Sequence, residues 1–340
     1  MRAIVLHDPG GPSPLRLDDL PAPACPAGHV LLRVRACGVC YHDVVVAQGA
    51  LRRGVKPNLI LGHEIAGEVF SIASDVPNVA VGDRVVTLLT SCCGACERCL
   101  AGLEHRCLAG HGIGHGADGG YAEYVAVTAA SLVPIPAGVT FEQASLAACP
   151  AGVALRALRT VAALRDGETA LITGASGGVG VHALQIAAQL GARVLAVTGS
   201  PDKADRLLAL EAEVIVSPAL DFQYEVEALT DGIGVNVVLD TVGAPAFPAA
   251  LRSLAQYGRI VLVGDLSGER ISFSPASLLF KDAAVLGSSG ANRSDVADAL
   301  TMIAAGRLRP VYTAFPLQDA PLAHRMLQER RLFGRAVLVP

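Results

Sequence analysis

The chain has 340 residues and is 52% hydrophobic but only 17% charged, a balance that excludes a disordered polymer and provides for two domains with substantial cores. Its 27 Lys+Arg against 31 Asp+Glu give a formal net charge of −4, so it carries no basic footprint for nucleic acid. With no Trp and 4% aromatic residues it also lacks stacking platforms for bases or sugars, and nine cysteines are the unusual feature. The amino-terminal run Met1-Arg-Ala-Ile-Val-Leu is broken by His7 and Asp8, too short for a signal-peptide core. No stretch reaches the roughly 18–20 apolar residues of a membrane span. The expectation is a cytoplasmic protein without membrane partners, in which clustered thiols hold metal rather than pair.

In chain order, the first ~150 residues read as short strands between Gly and Pro turns. Val30-Leu-Leu-Arg-Val-Arg has the alternation of a half-buried strand, and Gly67-Glu-Val-Phe-Ser-Ile and Asp83-Arg-Val-Val-Thr-Leu-Leu are similar. Residues 110–120 are too rich in glycine for helix or strand. From about residue 151 the texture changes to an alternation of strands and helices. Ala170-Leu-Ile-Thr predicts a buried strand, and the segment from Val181 an Ala-rich helix stopped by Gly191. Arg193-Val-Leu-Ala-Val-Thr is the next strand, with a helix over Asp202–Leu210. Val235–Asp240 and Arg259–Gly264 are further strands, so the pattern predicts a parallel, doubly wound sheet. The tail supplies one helix, Asp295–Ala305, and a strand, Gly334-Arg-Ala-Val-Leu-Val.

Three constellations carry chemistry. Cys93, Cys96, Cys99 and Cys107, spaced C-x2-C-x2-C-x7-C, let one loop wrap a tetrahedral ion with no open position. That is a structural zinc site, although thiolate identity alone also suits an iron–sulfur cluster. Cys40, His63 and Cys149 lie far apart in sequence, and as residue types they read equally as a buried core or as a three-ligand zinc site with a vacancy. The third is Gly174-Ala-Ser-Gly-Gly-Val-Gly between a strand and a helix, in which Gly174, Ser176, Gly177, Gly178, Val179 and Gly180 would cradle a pyrophosphate at a helix N-terminus. The following strand ends at Thr198, where an enzyme of NAD would carry Asp or Glu for the ribose hydroxyls. Ser200 and Lys203 there favour a 2′-phosphate, and so NADP(H) over NAD(H).

These motifs, together with GVC-x-x-D at 38–43, GHE at 62–64 and Gly119-Gly-Tyr-Ala-Glu-Tyr, resemble the zinc-dependent medium-chain alcohol dehydrogenase superfamily over nearly the full length. The resemblance implies an α/β protein. Residues 1–149 and 290–340 would form a GroES-like β-barrel catalytic domain, and residues 150–289 a doubly wound, parallel-sheet Rossmann domain, with the active site between them. It implies two zinc ions per subunit, the catalytic one on Cys40, His63 and Cys149 with Glu64 beside it, and Asp43 supporting the ligand histidine. It places Val263 and Ser288 near the nicotinamide and implies a homodimer or homotetramer.

The chain departs from the family's proton relay. His42 replaces the usual Ser or Thr, and Val45 stands where a second relay histidine is frequent. His42 either carries the proton or lines the pocket. The leading expectation is a zinc-dependent oxidoreductase passing hydride between NADP(H) and an alcohol or carbonyl compound. The alternative is an NADPH-dependent reductase of an activated C=C bond, since the GVCYHD, ASGGVG and CPAGV segments also resemble acryloyl-coenzyme A reductases of the same superfamily. A non-catalytic NADPH-binding protein has no need of the open-site ligands. Cys25, Cys37 and Cys92 receive no task; His111 and His115 are expected on a solvated loop and His182 as a packing residue.

Overall fold

In the computed structural model, which describes residues 1–340, the chain opens with an antiparallel hairpin of β1 (Arg2–Leu6) and β2 (Leu15–Asp19). β3 (His29–Val39) turns Val30, Leu32, Val34 and Ala36 inward and Arg33 and Arg35 to solvent, the period-2 pattern visible in the sequence. It pairs along one edge with β4 (Glu64–Ile72), which continues to β5 (Arg84–Thr87). A small ribbon of β6 (Thr90–Ser91) and β7 (His111–Gly112) brackets the cysteine loop. β8 (Tyr124–Thr128) pairs with the first half of β3, and β9 (Leu132–Pro134) with β5.

The second half contains six parallel strands. β10 (Thr169–Ile172), β11 (Arg193–Thr198), β12 (Glu213–Val216), β13 (Val235–Asp240), β14 (Leu254–Leu262) and β15 (Ala284–Gly287) stand in the order β12-β11-β10-β13-β14-β15. Central strands of such a sheet are covered on both faces, which is why Leu171, Leu195, Val197 and Val238 are fully buried beneath Phe222, Val226, Phe247 and Ala250 from the helices. The order reverses between β10 and β13, the place where doubly wound sheets bind ligands at their carboxyl ends.

β16 (Tyr312–Pro316) and β17 (Arg335–Val339) then complete the seven-stranded sheet of the first half, β17 taking the second half of the β3 edge left by β8. The chain therefore divides into two compact units. One comprises Met1–Gly152, Gly290–Gly306 and Tyr312–Pro340, the other Val153–Ser289 with Arg307–Val311. Residues 307–311 belong to the second unit because Gln185 exchanges two hydrogen bonds with the Arg309 backbone, at 2.8 and 3.0 Å, and His182 Nε2 accepts the Val311 N–H at 3.2 Å.

Local differences from the sequence reading have local causes. The expected helix over 202–210 is a 3-10 turn, Pro201–Lys203, followed by a short α-helix, Ala204–Leu208; Pro201 starts it with a fixed φ. The apolar stretch from residue 147 winds through wide π turns, Ala147–Ala151 and Arg156–Val161, around Pro150. A helix absent from the expectation, Ala320–Gln328, fully buries Ala320, Ala323 and His324 and packs Leu322, Met326 and Leu327 part-buried against the same core; it is a short segment that opens on Pro321, so its apolar period spans few turns.

Gly62 adopts φ +95°, and a Cβ there would lie 2.4 Å from Tyr121 Cδ1 and 2.7 Å from Cys37 Sγ. Backbone strain and collision act together at this position. Gly62→Ala is expected to cost about 3 kcal/mol of folding stability, read as a fall in the urea unfolding midpoint.

Candidate active site

Cys40 directly follows β3 and stands at the N-cap of the helix Tyr41–Ala47. Asp43, three residues on, reaches back so that its Oδ2 accepts the Cys40 N–H at 2.8 Å, which is what the C-x-x-D spacing accomplishes locally. The β3–β4 register sets Glu64 opposite Gly38 and so brings His63 and Glu64 beside Cys40. The π turn over 147–151 delivers Cys149. The two sulfurs are 4.0 Å apart, and one ligand atom from each of Cys40, His63, Glu64 and Cys149 lies within 4.8 Å of all the others. Tetrahedral zinc with Zn–S bonds of about 2.3 Å sets its sulfurs roughly 3.8 Å apart, so this donor set fits the ion.

The cluster is charged and buried. His63 Nδ1 faces Asp43 Oδ1 at 3.4 Å, which leaves Nε2 directed to the thiol and carboxylate side. Burial works against ionisation of Asp43, but His63 and His42 outweigh it and hold the carboxyl well below its ordinary range. Burial pushes Glu64 up to about 7 although Arg335 opposes it. Both Glu64 oxygens are buried and complete no hydrogen bond, even with Arg335 Nη2 2.8 Å from Oε1. Such a carboxylate is a donor in reserve for a cation. Arg335 Nη2 also donates to Cys149 Sγ at 3.5 Å and Cys40 Sγ at 3.8 Å.

The four-cysteine loop closes on itself. Cys93–Cys107, Cys96–Cys99, Cys96–Cys107 and Cys93–Cys99 sulfur distances are 3.5, 3.6, 3.8 and 4.0 Å, again the spacing of a tetrahedral ion. Backbone N–H groups of Cys93 and Cys96 donate to sulfurs at 3.3 Å each, and the amides of Leu108 and Cys99 lower the Cys96 thiol to about 6. Cys93 and Cys96 are thus favoured as thiolates, while burial and the neighbouring thiols push Cys99 up. Cys92 turns away, its thiol donating to the Ala130 carbonyl at 3.2 Å.

In the second unit, the glycine turn runs from the end of β10 into the helix Gly178–Gln189. A Cβ on Gly180 would sit 2.3 Å from the Gly174 carbonyl, so only glycine lets the helix start this close to the strand and present its free N–H groups. Ser176 Oγ lies 3.2 Å from Thr198 Oγ1, which also accepts the Ser200 N–H at 3.1 Å, tying this turn to the tip of β11. Thr173 donates to Asp240 Oδ1 at 2.6 Å and joins β10 to β13 at the reversal of strand order.

Comparison with known proteins matches residues 26–137 to the alcohol dehydrogenase GroES-like domain and residues 178–305 to the zinc-binding dehydrogenase domain. The chain belongs to the zinc-type medium-chain alcohol dehydrogenase superfamily. It is 38% identical over 320 residues to an acryloyl-coenzyme A reductase of Metallosphaera sedula, covering 94% of this chain and 93% of that one. It is 33% identical over 327 residues to an alcohol dehydrogenase of Geobacillus stearothermophilus, covering 96% of each. Among solved structures, that of AibC superposes with a TM-score of 0.92 at 40% identity, covering all of this chain and 96% of the other. The protein is thus an oxidoreductase of small molecules with a GroES-like and a Rossmann-type portion, and no helix is long and apolar enough to cross a membrane.

Within this dehydrogenase, the structure brings together Cys40, His63, Glu64 and Cys149, and separately Cys93, Cys96, Cys99 and Cys107. His42 stacks edge-on to His63, ring centroids 5.4 Å apart, and lies 5.2 Å from His115. His115 is not loose in solvent: its Nε2 donates to the Arg53 carbonyl at 2.9 Å. Gly174, Ser176, Gly177, Gly178, Val179 and Gly180 form one turn; Thr198, Lys203 and Ser288 are buried, while Ser200 and Val263 are half-buried. His182 is a packing residue, donating from Nδ1 to the Gly178 carbonyl at 2.6 Å.

Sequence reasoning missed Arg335, Tyr121 and His324. A lone arginine at the head of the apolar run 336–339 was the available signal for the first. Loss of the Arg335 guanidinium strands Glu64 without a counter-charge, so Arg335→Met is expected to cost about 3–5 kcal/mol in chemical denaturation.

Proposed function

We propose that the chain reduces a carbon–carbon double bond conjugated to a carbonyl or thioester, using NADP(H). The observation that carries this reading is the state of residues 42 and 45. Oxidation of an alcohol must export a hydroxyl proton along hydrogen-bonding side chains. Here Val45 has no proton to pass, and His42 Nδ1 turns inward to face Asp43 Oδ1 at 3.9 Å rather than a further relay group. Reduction of a conjugated C=C bond leaves no hydroxyl proton to export: hydride from NADPH adds at the β-carbon and the α-carbon takes its proton from solvent water, so no side-chain relay is needed. The likeness to acryloyl-coenzyme A reductase supports the same reading.

Zinc on Cys40, His63 and Cys149, with Glu64 adjacent, would supply a Lewis acid for the substrate carbonyl. Bound NADPH would supply the hydride. The chain's own residues do the remaining work. Asp43 orients the His63 ring, and Arg335 balances the two thiols and Glu64, keeping an anionic cluster intact in a dry site. The glycine turn and the helix behind it suit a pyrophosphate. At the tip of β11, Thr198 brings no negative charge, Ser200 can hydrogen-bond a 2′-phosphate and Lys203 can neutralise it. Four thiolates in the Cys93–Cys107 loop suit a structural zinc that leaves no room for substrate.

A second reading, interconversion of an alcohol and a carbonyl compound, is favoured by the complete open-site donor set and the 33% identity to an alcohol dehydrogenase. NADPH oxidation with an aldehyde, an enone and an acryloyl thioester, before and after metal removal, separates the two. The thioester or enone is expected to turn over at least a hundredfold faster than the aldehyde; the reverse order would establish the second reading. Lys203→Ala is expected to raise KM for NADPH about tenfold, the worth of one charged hydrogen bond, and to leave KM for NADH nearly unchanged.

A further inference from the structure

We infer that Tyr121 and His324 form a buried hydrogen-bond chain that fixes Asp43, and through it the ring of His63, and so set how tightly the open site holds its metal. The inference rests on the reading that Cys40, His63 and Cys149 hold zinc. Neither Tyr121 nor His324 belongs to that ligand set.

Tyr121 is fully buried and His324 is 5% exposed. Tyr121 Oη lies 3.1 Å from Asp43 Oδ2 and 3.1 Å from His324 Nε2, with the two rings edge-on at 5.8 Å. Proton positions follow from the inventory of donors. An ionised carboxylate only accepts, so the single phenolic proton of Tyr121 goes to Asp43. His324 must then donate from Nε2 to the phenol oxygen, which makes it the neutral Nε2–H tautomer. Burial lowers the His324 ring to about 4, consistent with a neutral donor. The Cys40 N–H donates to the same Oδ2, so that oxygen holds two donors and the carboxylate cannot rotate freely; Oδ1 is left facing His63.

The scaffold is arranged to permit this. Tyr121 N–H donates to the Leu61 carbonyl at 3.0 Å, and Gly120 N–H to the Gly62 carbonyl at 2.8 Å, which pins the tyrosine against the backbone that carries His63. The missing side chain at Gly62 leaves room for the phenol ring. His324 comes from the helix Ala320–Gln328, 203 residues beyond Tyr121 in sequence yet hydrogen-bonded to it in the core. Phenylalanine and leucine would fill the same volume without two polar groups to satisfy, so retaining the hydroxyl and imidazole has a cost that only their bonds offset.

The test follows zinc release from the purified holoprotein to a chelating dye. Two kinetic phases are expected, and the one lost in Cys149→Ser belongs to the open site. Tyr121→Phe and His324→Leu should each speed that phase roughly three- to tenfold, somewhat less than for a group touching the ligand itself. The double variant should be little faster than either single one, because both break one chain. His324→Gln, which keeps an N–H donor, should recover most of the retention. With cobalt in the open site, Tyr121→Phe should shift the visible ligand-field band while the phase of the Cys93–Cys107 site stays unchanged. An open-site phase within twofold of wild type and an unmoved cobalt band would overturn the inference, as would acceleration of both zinc phases together. A wild type from which Cys149→Ser removes no phase would instead sink the zinc reading, and the inference with it.

Discussion

Two thiols and two carboxylates buried within a few ångströms of one another are the constraint on which the rest of this molecule depends. Negative charges at such distances in a poorly hydrated interior repel by many kcal/mol unless cations stand among them. The first unit answers with Arg335, the His63 imidazole and a donor geometry that fits a zinc ion. Each of these arrives by strand pairing: β4 brings His63 and Glu64 to Cys40, and β17 sets Ala336 against Val39, placing Arg335 beside the same cysteine. The long central strand β3 is therefore both the spine of the sheet and the assembly line of the site.

The two cysteine sites show opposite solutions to one problem. In the Cys93–Cys107 loop the ligands come from a short, exposed stretch, and backbone amides stabilise the thiolates locally. At the Cys40–Cys149 site the ligands come from three distant segments, and stabilisation comes from side chains that are themselves buried. The first arrangement suits a fully enclosed ion and offers nothing to a substrate. The second keeps donors in reserve, with Glu64 beside the ligand atoms and completing no hydrogen bond.

How much was legible beforehand follows the same division. That the four thiols of the C-x2-C-x2-C-x7-C loop meet in space was legible, because they lie close in sequence and the chain has little freedom to place them elsewhere. The parallel sheet and the glycine turn were readable because both leave local marks, continuous apolar runs and a Gly at each close approach. Cys40, His63 and Cys149 as residue types were ambiguous, and only the resemblance joined them. Arg335, Tyr121 and His324 were not readable as parts of a site. Arg335 looked like one polar residue at the head of a strand, and His324 sits on the core side of a short helix among Ala320, Ala323, Leu322 and Met326, where a lone histidine reads as packing.

The sequence by itself determined most element types, the alternation that produces the doubly wound sheet, the clustering of four thiols in one loop and the turn suited to a dinucleotide, all through interactions between near neighbours. Only the tertiary structure decided which charges face one another. It set Arg335 against Glu64, gave Tyr121 the task of holding Asp43, drew residues 307–311 to the second unit and turned His42 Nδ1 to face Asp43. Those pairings join segments up to almost three hundred residues apart, and such distances are closed by strand register and core packing, which no local pattern encodes.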